Sequence, residues 1–344
     1  ILGSAVIATA IAGYLSKASV GAVPAFIASA VALSLLAVVV GEATDHLGSR
    51  MGPGATGVLQ SGLGNLPELF VCIFSLQAGL VEVVKGALVG SILANSLLVL
   101  GIAMLTGGLK FGTQKFSSEP PKMIAVLMLL ATSALVLPTL VHELHTPASQ
   151  HEVPFSLAVS IVLLLVFFCS IPFFIKGNPA VTPEAHDGPE ACWSLPFSIA
   201  VLAISGIAAA FVSEWFVDAL QPATKAMGIS EAFSGLVVVA IAGNAIENLV
   251  GIQLAARNKT DYAMSVILNS SLQISLALTP ILVILSYFIA ASPLTLVLPP
   301  LLAAGLLLSA VVSAFIVFDG ESIWLEGVAL IGLYAIIVSA FWWG

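Results

Sequence analysis

The fold class predicted by this chain is an all-α polytopic membrane protein, and three observations predict it. Of its 344 residues, 59% are apolar and only 8% are charged, whereas a soluble domain carries about 25% charged residues. Eleven apolar segments can be cut out at Gly, Pro and charge clusters, most of them near the roughly 20 residues that cross a hydrocarbon core. A polar motif, Gly-Asn-x-x-Glu, stands inside two of those segments, at Gly64–Glu68 and at Gly243–Glu247.

In order, the segments are 1–16, 23–46, 55–79, 83–106, 122–141, 154–175, 194–218, 231–255, 262–290, 294–318 and 323–343. The chain opens on Ile1, so residues upstream are expected. Its first segment lacks a basic front and a small-residue cleavage site, and reads as a span instead of a signal peptide. Most loops are short. The two longest are 107–121 and 176–193, "KGNPAVTPEAHDGPEACW". The second is rich in Pro, Gly and acid, lies near the middle of the chain, and is the expected linker. With the N-terminus cytoplasmic, inside loops hold Arg50, Lys110, Lys115, Lys122, Lys176, Arg257 and Lys259, leaving Lys17, Lys85 and Lys225 outside. The positive-inside rule favours that orientation, with the C-terminus outside. Cys72, Cys169 and Cys192 form no spaced set, and read as small buried hydrophobes.

A shift of 179 residues superimposes Gly64 on Gly243, Asn65 on Asn244 and Glu68 on Glu247. Without a gap it also pairs Ser91 with Ser270, Leu93 with Leu272, Ser96 with Ser275 and Leu97 with Leu276. Over 58–97 ten of forty positions are identical. Composition alone would match leucines but not Gly, Asn, Glu and two serines in register. With the first segment set aside, five spans precede the linker and five follow it. An odd number of spans inverts the second copy, the architecture of many secondary transporters. The expected division is an extra helix at 1–16, a first five-helix repeat at 23–175, a cytoplasmic linker at 176–193 and a second, inverted five-helix repeat at 194–344.

An acid at a helix centre costs about 2.5–3.5 kcal/mol on insertion scales and normally faces partners or water. One such glutamate could be structural; a matched pair points to a shared site. Asn and Glu at this spacing share a helix face. Pro67 cannot donate to the carbonyl of Leu63, and Gly62 and Gly64 add freedom, so a break is expected there. Ile246 replaces the proline in the second copy, which weakens that expectation. Two carboxylates, two carboxamide oxygens and freed backbone carbonyls form an all-oxygen cage that suits Ca²⁺ better than Mg²⁺. No His or Cys accompanies the motif, which argues against zinc or copper.

The paired helices carry "GSILANS" and "NSSLQIS". Ser91 and Ser270 read as contacts between helices, whereas Asn95, Asn269 and Gln273 are long enough to line a cavity. Glu42 and Asp45, echoed by Glu214 and Asp218, read either as interfacial charge or as a vestibule that collects cations. The stretch "HELHTPASQH", 142–151, reads as a solvated turn.

The paired motifs with "GSILANSLLVLG" and "NSSLQISL" resemble the CAX family of calcium/proton antiporters, within the cation/calcium exchanger superfamily, across nearly the whole chain. The Gly-Thr-Ser-x-Pro-Glu signature of sodium/calcium exchangers is missing, and the compact chain is similar to prokaryotic members. That resemblance implies that Glu68 and Glu247 bind Ca²⁺ and exchange it for protons. It implies that Asn65 and Asn244 support the cation, with Gly64 and Gly243 in the same motif and Gln273 nearby. No cofactor is implied beyond the transported Ca²⁺ and H⁺. The partners implied are the lipid bilayer of the cell membrane and no nucleic acid, with a homo-oligomer left open. The central linker of the family is often a long acidic run; only Glu184, Asp187 and Glu190 stand in this one. A Na⁺- or K⁺-coupled exchanger of the same fold, a channel and an intramembrane acid-dependent hydrolase are the alternatives. Nothing marks a nucleophile or substrate groove for the last.

Overall fold

A computed structural model describes residues 1–17, 21–48, 50, 63–116, 119–175 and 193–342, with 119–120, 173–175 and 246–247 described by their backbone alone. The linker expected at 176–193 lies outside the described residues except for Trp193, as does the start of the segment expected at 55–79.

The described chain is helical almost throughout, because an apolar segment in lipid must satisfy its backbone hydrogen bonds internally. Helices α1 (Leu2–Lys17) and α2 (Ala22–Gly48) are followed by α3 (Leu66–Gln77). Next come α4 (Val81–Phe111), α5 (Glu119–Glu143) and α6 (Glu152–Ile175). The second half holds α7 (Leu195–Met227), α8 (Glu231–Gly243), α9 (Ala245–Ala255), α10 (Thr260–Ile289), α11 (Pro300–Phe318) and α12 (Trp324–Ala340). Each of the eleven expected segments contains helix. Among the described residues, length and composition alone support seven crossings, or eight if α8 and α9 form one bent span.

Three limits differ from expectation, each for a physical reason. Helix α7 runs nine residues past Asp218 to Met227 and carries Pro222 inside it. Hydropathy marks the apolar part of a helix; its end is set by Gly228, whose φ of 67° supplies the left-handed cap. The segment expected from 294 begins as extended chain, and α11 starts only at Pro300. Proline disfavours helix in the residue before it, and here Pro299 and Pro300 stand together. The buried backbone amides of Leu294, Leu296 and Leu298 donate to Ser286 Oγ, Ser156 Oγ and Thr139 Oγ1 at 2.7, 2.9 and 2.8 Å. Those hydroxyls supply the partners that a helix would have provided. Third, the segment expected at 231–255 divides at Asn244 into α8 and α9, bent by 64°.

Helices α2 and α7 pack along their lengths. Phe26 stacks on Phe216 with ring centroids 4.8 Å apart, and His46 on Trp193 at 4.5 Å, so the two run antiparallel. Helix α4 meets α8 backbone to backbone: a β-carbon on Gly86 would lie 2.7 Å from the carbonyl oxygen of Ala232. Gly86 and Gly90 form a small-xxx-small face, the usual device for close helix approach in lipid. Two short strands, β1 (Gln114–Lys115) and β2 (Glu321–Ser322), pair antiparallel. The ribbon joins the end of α4 to the start of α12. At the same end, Lys110 Nζ donates to the carbonyl of Ala256 at 2.9 Å and Gln114 Nε2 to Asn258 Oδ1 at 2.9 Å. Both interactions satisfy or flank the exposed C-terminal carbonyls of α9.

Candidate functional site: a polar centre shared by the two halves

Both motif asparagines sit where a helix begins. Asn65 is the N-cap of α3, with φ −87° and ψ 13°, and Asn244 is the N-cap of α9, with φ −105° and ψ 24°. Glu68 and Glu247 follow three residues later, in the first turns. Asn at the N-cap with Glu at the third position is the pattern of a helix cap. Neither asparagine side chain caps its helix, however. Both are buried, and the polar groups of the motif are left available to a centre between the helices. The break at Asn244 occurs without a proline, so Gly-Asn suffices. In α3, Pro67 occupies the helix start, where a missing N–H costs nothing.

Glu68 is fully buried. Ser91, from α4, donates to its Oε1 at 2.5 Å, and Asn244 Nδ2 reaches its Oε2 at 3.4 Å. Asn244 Nδ2 also donates to Ser91 Oγ at 2.9 Å and to the carbonyl of Ala240 at 2.9 Å. On its other side, Asn244 Oδ1 accepts from Ser270 Oγ at 3.5 Å, and Ser270 Oγ accepts from Asn95 Nδ2 at 2.9 Å. The chain Asn95–Ser270–Asn244–Ser91–Glu68 therefore crosses between the halves twice, each link donating toward the carboxylate. The first turn of a helix also favours negative charge there. Gly243 makes the approach possible: a β-carbon on it would lie 3.0 Å from Glu68 Cβ.

Four buried carboxamide oxygens have no hydrogen-bond partner among the described residues: Asn65 Oδ1, Asn95 Oδ1 and Asn248 Oδ1, and, away from the motif on the short β-ribbon, Gln114 Oε1. A buried acceptor left unpaired is costly; oxygens of this kind are the donors a hard cation needs. Asn248 was not anticipated from the sequence, because its counterpart under the shift of 179 residues is Leu69. Asn269 and Gln273 are half-buried on α10, and their side chains make no hydrogen bond among the described residues. Gly64 is buried beside Asn65. The Glu247 side chain lies outside the described residues.

Wide, π-type turns interrupt α4 at Ala94–Val99 and α10 at Ile274–Leu278. The shift of 179 residues brings the two into near coincidence, one residue apart at the start. Such turns occur frequently at functional sites, and Asn95 stands in the first of them. A third π-type turn, Ser234–Val239, lies in α8 where Gly86 and Gly90 press against it.

The outlying acids are not brought together. Glu42 and Asp45 are half-buried near the C-terminal end of α2, while Glu214 and Asp218 are exposed on α7. Because α2 and α7 run antiparallel, the two pairs lie toward opposite ends of the bundle. The 142–151 stretch forms the end of α5 and a short turn, where His142 Nδ1 meets Glu152 Oε1 at 2.5 Å. Cys72 is buried and Cys169 exposed; Cys192 lies outside the described residues.

The fold and site thus define a helical multi-pass membrane protein whose halves jointly enclose a buried carboxylate centre. The chain belongs to the sodium/calcium exchanger protein family, whose sequence model matches residues 21–176 and 197–343. It is 33% identical over 333 residues to a Ca²⁺/H⁺ antiporter of Aphanothece halophytica, covering 92% of this chain and 89% of that one. It is 34% identical over 322 residues to the Ca²⁺/H⁺ antiporter ChaA of Bacillus subtilis, covering 90% of each. The solved structure of native YfkE superimposes with a TM-score of 0.82 at 30% identity, covering 99% of this chain and 98% of that one.

Proposed function

We propose that this protein exchanges Ca²⁺ for H⁺ across the cell membrane by alternating access and extrudes cytosolic Ca²⁺. The observation that carries the reading is the buried Glu68 network, built from both halves and edged by unpartnered carboxamide oxygens. The relatives named as Ca²⁺/H⁺ antiporters support it over nearly their whole length. In this reading Glu68 and Glu247 supply the two negative charges that match a divalent cation. Asn65, Asn244 and Gln273, with the backbone at Gly64 and Gly243, supply neutral oxygens. Ser91, Asn95, Asn269 and Ser270 line or brace the cavity. When Ca²⁺ leaves, the carboxylates take protons, because an unpaired buried charge is too costly to carry through a change of access.

The same proposal includes eleven crossings: an extra helix at 1–16 and inverted repeats at 23–175 and 194–344, joined by the 176–193 linker. Support comes from the family match in each half, the corresponding π-type turns, and the antiparallel α2–α7 pair. Glu42 with Asp45 and Glu214 with Asp218 then mark the two mouths. The N-terminus is cytoplasmic and the C-terminus outside, as the distribution of basic residues favours.

The test is Ca²⁺ uptake into proteoliposomes under an imposed pH gradient with sodium and potassium absent. Uptake that follows the pH gradient is the expected result. Uptake that requires a sodium or potassium gradient would replace proton coupling with the other exchange mode of the fold.

A further inference from the structure

Helix α3 does not close fully against α7. Between them lies a cleft of about 570 Å³, lined by Leu66, Phe70 and Phe74 from α3 and by Gly206, Phe211 and Glu214 among others from α7. It is a groove open along one side, with an apolar and aromatic lining and a single polar group, Glu214. The three α3 residues recur every fourth position, on the face turned away from buried Glu68, Val71, Cys72 and Ser75. The neighbouring α7 side chains Ile204, Ile207 and Phe211 are exposed, so the cleft opens toward lipid. Its one charge is Glu214, an exposed carboxylate on a long apolar helix, with no hydrogen bond or ion pair among the described residues. An acid within a span normally faces a partner or water. No described residue supplies a partner.

We propose that this cleft binds a single-chain cationic amphiphile, an alkylamine whose ammonium meets Glu214 and whose chain lies between Phe70, Phe74 and Phe211. Charge selects the cation, and the aromatic faces favour it further. The same charge disfavours a phospholipid, whose phosphate would stand beside the carboxylate. The site is separate from the buried centre, and its Glu214 also marks a mouth in the proposed function. Gly206 contributes room: a β-carbon on it meets nothing within 4 Å, so a larger side chain there would fill the cleft without disturbing the packing.

The experiment uses the full chain in phosphatidylcholine nanodiscs and a dodecylamine bearing a photoreactive diazirine, with cross-links mapped by peptide mass spectrometry. Labelling should fall on residues 66–74 and 202–214. Dodecylamine should protect at a concentration at least about tenfold below that of dodecanol, the margin of one charge-assisted hydrogen bond. Glu214→Gln should erase that margin, and Gly206→Leu should remove the labelling altogether. Labelling elsewhere, equal protection by the alcohol, or an undiminished margin in Glu214→Gln would overturn the proposal. Protection by phosphatidylethanolamine in the nanodisc equal to that by dodecylamine would overturn it as well, making the occupant a phospholipid.

Discussion

Glu68 owes its surroundings to residues far away in sequence: Ser91 on the next helix and Asn244 in the other half. Glu68→Gln keeps the shape and removes the charge. We expect it, and Glu247→Gln likewise, to lower Ca²⁺ transport by about two orders of magnitude, the scale of truncating one partner of a buried charge pair. Proteoliposome flux measures this, and wild-type rates in either variant would remove the central site. The serines separate by partner. The Ser91 hydroxyl bonds to Glu68 and Asn244, whereas the Ser96 hydroxyl donates to the carbonyl of Ile92 in its own helix. Ser91→Ala should therefore raise the Ca²⁺ KM several-fold more than Ser96→Ala, since it strips about 1–3 kcal/mol of hydrogen bonding from a buried acceptor. Equal KM values would make Ser91 a packing residue. Gly243→Ala places a methyl group 3.0 Å from Glu68 Cβ and should destabilise the fold by about 1–3 kcal/mol, visible as a lower Tm in detergent.

At the scale of elements, the half-helix α9 is anchored at its far end by side chains of the first half. Gln114 Nε2 reaches the carbonyl of Ala255 at 3.4 Å and Asn258 at 2.9 Å, while Lys110 holds the carbonyl of Ala256. Gln114→Ala should expose that end. Amide exchange there should quicken about tenfold, the equivalent of one or two hydrogen bonds, and unchanged protection at 255–260 would show that α9 holds without its clamp. The sequence made much of this level readable. Apolar length located a helix in every expected segment, and the motif pair drew attention to Asn65 and Asn244 because Gly, Asn and Glu do not recur by composition, although a proline argues for a break only at the first. Other features were hidden by the rules used to find them. A proline pointed to the break at α3, yet Asn244 breaks its helix without one. Hydropathy assigns 294–299 to a helix, although Leu294, Leu296 and Leu298 alternate as an extended segment does. Asn248 escaped because a reading through the repeat passes over a residue whose counterpart is Leu69. The network itself joins positions up to 176 residues apart, and no local pattern encodes such a join.

For the molecule as a whole, one centre serving both ions implies competition. Protonated carboxylates lose charge and acceptor capacity, so apparent Ca²⁺ affinity should fall as pH drops, while the maximal rate at saturating Ca²⁺ falls less. Flux titrations at several pH values measure both quantities. An affinity indifferent to pH would separate the proton site from the calcium site. The bonds that cross between the halves also have a consequence for biogenesis. Asn244 leaves the ribosome 176 residues after Glu68, a delay of roughly 10–35 s at ordinary rates of synthesis. Throughout that interval a carboxyl group waits in the bilayer without the amide that will hold it. A nascent first half thus holds its carboxyl group without Asn244, and we expect that lack to shorten its life in the membrane. A fragment ending in the linker should be cleared several-fold faster alone than with residues 193–344 supplied on a second chain, as pulse-chase labelling would record; equal lifetimes would mean that the first half shelters its glutamate unaided.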